Sequence, residues 1–149
     1  MPRWWSKPLP PPAIWRYVLH YPISLDEEAM QDAARRFAGV HDFSSFAAST
    51  GSEDDDHERS MERDVFFAEL ARSGDGEELV FTVSGRSFLR YMVRKMVGTL
   101  LDIGRGKLVP GDIERLFELK DRSKSGPTVP AQGLVMVEVR HEEAWKIDS

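Results

Sequence analysis

The order of strand-like and helix-like stretches predicts an α+β fold, a ferredoxin-like split βαβ sandwich with an antiparallel sheet and helices on one face. Three observations carry it. The two hydrophobic periods alternate as strand, helix, strand, strand, helix with a short helix after it, and strand. The middle strands, Met61 to Leu70 and Glu77 to Ser84, are separated only by the turn-forming Ser73-Gly-Asp-Gly76, which reads as a hairpin. Directly after it comes the longest apolar stripe in the chain, Leu89, Val93, Met96, Leu100 and Ile103, spaced by three and four residues as on a helix buried in a core.

Each element has its own signal. Residues 1–13 hold five prolines, including Pro10-Pro11-Pro12, and predict an extended, poorly ordered leader in which Trp4 and Trp5 are out of place. Ile14 to His20 is rich in aromatic and β-branched residues, as a strand is, and Pro22 closes it. Ser24-Leu-Asp-Glu27 has the form of a capping box, with Ser24 at the cap; Ala29, Met30, Ala33 and Phe37 form the buried stripe, and Gly39 ends the helix. His41-Asp-Phe-Ser-Ser-Phe46 brings serine, histidine and aspartate together, but sequence neighbours do not generally present triad geometry, and a turn anchored by Phe43 and Phe46 accounts for them. Residues 51–59 form an acidic loop whose spacing matches no calcium-binding pattern, so no metal is expected.

Leu79, Phe81 and Val83 alternate with Val80, Thr82 and Ser84, giving the second hairpin strand one buried face. The central helix is read from the residues after Gly85, capped by Ser84 or Ser87 and ended by Gly104. On that reading Arg86, Arg90 and Arg94, four residues apart, form one ridge flanked by Lys95. Cations at a helix start oppose its dipole at a cost of about 0.3–1 kcal/mol each, which gives the ridge a functional motive, an anion or an acidic group, although a solvated face also accommodates arginines. Pro110 opens a short helix carrying Ile113, Leu116 and Phe117. Leu134 to Arg140 is the last strand.

Composition sets outer bounds. A chain of 149 residues, 41% hydrophobic and 30% charged, fits one domain from residue 14 to 149 with a real core. The absence of cysteine rules out disulfides and thiolate metal sites and suits a cytoplasmic setting, and no apolar run is long enough to cross a bilayer. Net charge is −5, yet residues 84–124 carry ten Lys and Arg against five acids, a local +5 inside a remainder of −10. Such segregation suits an electrostatic footprint on one face of an otherwise acidic protein.

Gly85-Arg-Ser-Phe-Leu-Arg-Tyr-Met-Val-Arg-Lys-Met-Val-Gly-Thr-Leu-Leu-Asp-Ile-Gly-Arg-Gly106 and Asp121-Arg-Ser-Lys-Ser-Gly-Pro-Thr-Val-Pro-Ala-Gln-Gly-Leu134, preceded in order by Trp15-Arg-Tyr-Val-Leu-His-Tyr-Pro22 and Gly39-Val-His-Asp-Phe-Ser-Ser-Phe46, resemble the C-terminal half of the TruA-type tRNA pseudouridine synthases over about residues 14–140. The resemblance implies an isomerase, without cofactor, that converts uridine to pseudouridine in the anticodon stem-loop of tRNA, by breaking the bond from sugar to base and rejoining the base through carbon. It implies that Arg94 pairs with an essential aspartate, holding it ionised and oriented. Gly133 and Leu134 would bound the pocket for the extruded base, and Arg86, Arg90, Lys95, Arg105, Lys107, Arg122 and Lys124 would meet phosphates.

The family's Arg-Thr-Asp segment has no counterpart here, so the resemblance implies that this chain is catalytically incomplete alone. The missing domain, or a partner supplying it, would complete the site, and a homodimer is the family's usual state. Two other readings of the same residues are a non-catalytic RNA-binding or dimerisation module and a protein-interaction domain whose arginines are merely solvated.

Overall fold

A computed structural model describes residues 12–20, 24–47, 60–73, 76 and 78–139. The acidic loop and nearly all of the proline-rich leader lie outside the described residues. The elements are β1 (Ala13–Leu19), α1 (Glu27–Arg35), β2 (Gly39–Asp42), β3 (Glu62–Arg72), β4 (Leu79–Gly85), α2 (Met92–Gly104), α3 (Asp112–Leu119) and β5 (Leu134–Val139). The five strands form one sheet in the order β2-β3-β4-β1-β5, every neighbouring pair antiparallel. Leaving β2 aside, that order is the one two interleaved split βαβ units give, as the sequence predicts.

The hairpin lies where its turn residues place it, with Leu70 opposite Phe81 and Arg72 opposite Leu79. Tyr17, Leu19, Leu70, Leu79, Phe81 and Val83 face the helices and are buried, while Arg16 and Glu69 on the other face are exposed. Beneath the sheet, Phe37 meets Phe46, Phe81 and Phe117 edge to face at 5.3, 6.2 and 6.4 Å. Each ring buried in this way stabilises the domain by about 2–3 kcal/mol through area alone.

Two expected caps are displaced. The start of α1 is capped by Asp26, whose carboxylate accepts from the Ala29 amide at 3.1 Å, not by Ser24. With Asp26 as the cap, Glu27 is the first helical residue rather than the third and cannot close a capping box; its carboxylate is bound by Arg72 of β3. Helix α2 begins at Met92, well after Ser84 and Ser87: Ser84 is buried within β4, Ser87 is exposed before the helix, and neither caps it. At its other end Gly104 remains helical, and the left-handed residue is Gly106, φ +87°.

One strand is not apparent in the sequence. Residues Gly39–Asp42 form β2, pairing His41 with Arg63 and Asp42 with Glu62 at the sheet edge, so only the Phe43–Phe46 part of the expected turn is a turn. Among the described residues no helix is long and apolar enough to cross a membrane, and no cluster of potential metal ligands occurs.

Candidate active-site pocket on the central helix

Helix α2 is enclosed on almost every side. Eleven of its residues, from Met92 to Gly104, are buried, and α1, the sheet and the segment 121–130 supply the walls. That segment lies across the helix as a strap. The Gly126 amide donates to Thr99 Oγ1 at 2.9 Å, Thr99 Oγ1 donates to the Lys95 carbonyl at 2.8 Å, and Lys95 Nζ donates to the Gly126 carbonyl at 3.2 Å. The backbones touch at a pair of glycines: a Cβ on Gly98 would overlap the Pro127 carbonyl oxygen, and one on Gly126 would come within 2.5 Å of the Gly98 carbonyl.

Where the strap reaches the start of the helix it meets Arg94. The Arg94 Nε–H donates to the Val129 carbonyl at 2.7 Å, and the Val129 amide reaches the Arg94 carbonyl at 3.4 Å. Beyond Val129 the chain turns through Ala131–Gly133 into β5, which delivers Leu134 beside Tyr17 of β1. Arg94 and Leu134 thereby come to line one pocket of about 320 Å³, together with Trp15, Phe88, Leu89, Tyr91, Met92, Val93 and Ala131. This volume falls in the range of small-ligand sites, about 300–1,000 Å³. Apart from Arg94 and the Tyr91 phenol the lining is apolar, and no carboxylate pairs with Arg94 among the described residues.

Tyr91 holds a left-handed backbone, φ 64°, at the N-cap of α2, and no side chain caps the helix. For an aromatic residue this conformation costs about 1–2 kcal/mol. The Arg94 and Arg90 guanidiniums lie 4.5 and 4.9 Å from its ring centre, and Arg90 also donates to its hydroxyl at 3.3 Å. That bond, with the positive charge behind it, lowers the pKa of the Tyr91 hydroxyl below the usual tyrosine value.

The anticipated cations therefore separate into groups. Arg86 and Arg90 precede the helix and do not continue a ridge with Arg94; Arg86 lies over Phe66, 5.5 Å from its ring centre. Lys95 is turned inward and buried, which draws its ammonium below the ordinary lysine range, with repulsion from Arg122 adding to the effect. It ties the strap to the helix rather than facing solvent. Arg122 and Lys124 sit on the strap. Arg105, bound to Asp102 at 3.0 Å, lies just past the far end of α2, roughly 16 Å from Arg94 by helical rise, and exposed Lys107 follows it. Gly133 packs against the Val18 carbonyl and the Tyr17 ring, where a Cβ would come within 2.7 Å. It does not line the pocket of Arg94 and Leu134 but a neighbouring one, with Tyr17 and Val129. Trp15, Phe88 and Tyr91 are pocket residues that the sequence does not single out by pattern; Trp15 opens the Trp15 to Pro22 segment and Phe88 and Tyr91 lie inside the Gly85 to Gly106 motif, and that membership is the available signal.

A sheet of this topology with helices on one face and an arginine at an apolar pocket defines a ferredoxin-like α+β domain with a candidate small-ligand site. The family model for tRNA pseudouridine synthase matches residues 33–142, and the chain belongs to that family. It is 41% identical over 127 residues to tRNA pseudouridine synthase A of Streptococcus pneumoniae strain JJA, and equally to that of strain 70585. Each match covers 85% of this chain and 49% of the relative, so the chain spans about half the length of the curated relatives it matches.

Proposed function

We propose that this domain supplies the arginine and the apolar base pocket of an enzyme that isomerises uridine to pseudouridine in the anticodon stem-loop of tRNA. The catalytic aspartate comes from a segment outside these 149 residues. Arg94 pairs with that carboxylate across the pocket, holding it ionised and aimed at the sugar–base bond, as a charge-assisted fork does. Leu134, Trp15 and Phe88 receive the extruded ring, whose faces are apolar while its edges retain hydrogen-bonding groups. Arg86 and Arg90 beside the pocket, then Arg122 and Lys124 on the strap, meet the phosphates on either side of it. Arg105 and Lys107 serve a more distant part of the same backbone. No cofactor enters this scheme.

The observation that supports this reading most is the sharing of one apolar pocket by Arg94 and Leu134, with no carboxylate of the described residues on the guanidinium. The test is pseudouridine formation in unmodified tRNA by this chain alone and after adding an aspartate-bearing half from a relative. The expected result is none alone and turnover on addition, lost again with Arg94→Ala. Turnover by the chain alone, or restored turnover indifferent to Arg94→Ala, would overturn it. Salt-dependent tRNA binding with no turnover in either case would favour a non-catalytic RNA-binding module.

A further inference from the structure

From the geometry we infer a positioning residue for Arg94 that its chemistry alone does not require: Tyr91, whose ring packs on the guanidinium while the Val129 carbonyl holds its Nε–H. This inference rests on the function proposed for Arg94 above. An arginine side chain has four rotatable bonds, and an unpaired guanidinium at a pocket would ordinarily sample several rotamers. Here two contacts restrain it. The Val129 carbonyl takes the Nε–H at 2.7 Å, and the Tyr91 ring lies 4.5 Å from the guanidinium carbon.

Residues three apart also meet on one face of a regular helix, but here the contact is made from outside the helix. Tyr91 and Arg94 are three residues apart, but Tyr91 is outside the helix, at φ 64°, and this backbone places its ring both in the pocket wall and against the guanidinium. A glycine or asparagine would take that conformation with far less strain. The aromatic side chain therefore stands at the position of the helix entry where it is least favoured. Arg90 adds a second cation at 4.9 Å and a bond to the hydroxyl, which fixes the ring in turn. The clamp is thus built before any carboxylate arrives, and the ordering cost of Arg94 is met within this domain.

The test uses the full chain labelled with nitrogen-15 and the side-chain Nε–H signal of Arg94, in the wild type and in Tyr91→Phe, Tyr91→Ala and Tyr91→Gly. Tyr91→Phe keeps the ring and loses only the Arg90 bond to the hydroxyl, so it is expected to change the order parameter and hydrogen exchange of that signal far less than the ring-less variants do. Tyr91→Ala and Tyr91→Gly are expected to speed its exchange at least fivefold and lower its order parameter. Tyr91→Gly is also expected to melt no lower than Tyr91→Ala, because it releases the left-handed strain. In the two-part enzyme the same two variants should lower kcat about tenfold with KM nearly constant. Unchanged Arg94 dynamics in both ring-less variants would overturn the clamp. Because that measurement needs no RNA, altered dynamics together with absent turnover in the completed wild-type enzyme would support the clamp and overturn the functional reading alone.

Discussion

The two sides of helix α2 are built on opposite principles. Behind it, the strap meets the helix backbone to backbone at Gly98 and Gly126, and the donors of Thr99, Lys95 and Gly126 are mutually satisfied. In front of it, the helix starts on a strained tyrosine without a side-chain cap, beside a half-buried guanidinium and an open apolar pocket. Stability is concentrated at the back, and the front keeps features that are unfavourable in the isolated domain. Such a division is expected where a rigid element must present a group to a ligand. Substitutions at the back should therefore unfold the domain, and substitutions at the front should leave it folded and inactive.

The largest expected effect is at the back. Gly98→Ala gains helix propensity of about 1 kcal/mol, but its methyl would occupy the position of the Pro127 carbonyl oxygen, a backbone group unable to rotate aside. A net loss of about 3 kcal/mol is expected, read as a shift in the denaturant midpoint. Arg94→Ala comes next, and its effect belongs to function. On the function proposed above, turnover of the completed enzyme should fall at least 100-fold, about 2.7 kcal/mol, because the carboxylate that Arg94 would pair with loses its partner. The denaturant midpoint should record only the lost Val129 bond and the lost Tyr91 contact, about 1–2 kcal/mol together. If Arg94→Ala unfolds the domain as Gly98→Ala does, the contrast between the two sides fails.

The back was more legible in the sequence than the front. Periodicity over Val93 to Ile103 identified α2 because only a helix brings apolar residues at that spacing onto a single buried face, and the hairpin followed from Ser73 to Gly76. The start of α2 could not be read in the same way. Leu89 continues the helical spacing but lies in the turn before Met92, because the chain must travel from the end of β4 to the helix layer, a demand that no local pattern records. For the same reason the Arg86, Arg90 and Arg94 ridge was an extrapolation of a period that had already stopped. Strand β2 is not legible in the sequence because four residues with an exposed Val40 have little pattern, and only the long partner β3 makes them a strand. Arg94 and Leu134 entered through a resemblance; that they share a pocket depends on the path of the strap.

Thr99→Val is the third comparison, a removal of polarity at nearly constant volume. It leaves the Gly126 amide without its acceptor in a buried setting, so about 1–2 kcal/mol should be lost with no effect on the pocket. Hydrogen exchange of the Gly126 amide would localise the loss, and an unchanged midpoint would show that the strap is held by packing alone.

Lys95 separates the two sides with the smallest effect. Its amine is drawn below the usual lysine value by burial first and by Arg122 second. A lysine whose folded pKa lies below its unfolded one binds more protons when unfolded, so stability rises with pH in the window between the two values. Below that window the cost of burying the ammonium is felt in full; above the unfolded value, near 10.5, it is absent. Lys95→Met removes the titrating group and the donor to Gly126 together. Stability of the wild type relative to Lys95→Met should therefore increase as pH climbs toward 10.5, with Tyr17 and Tyr91 cancelling because both proteins contain them. A flat difference between the two curves would place the ammonium in solvent and return Lys95 to the phosphate-binding set. A rising one, with tRNA affinity unchanged in Lys95→Met, assigns it to the strap.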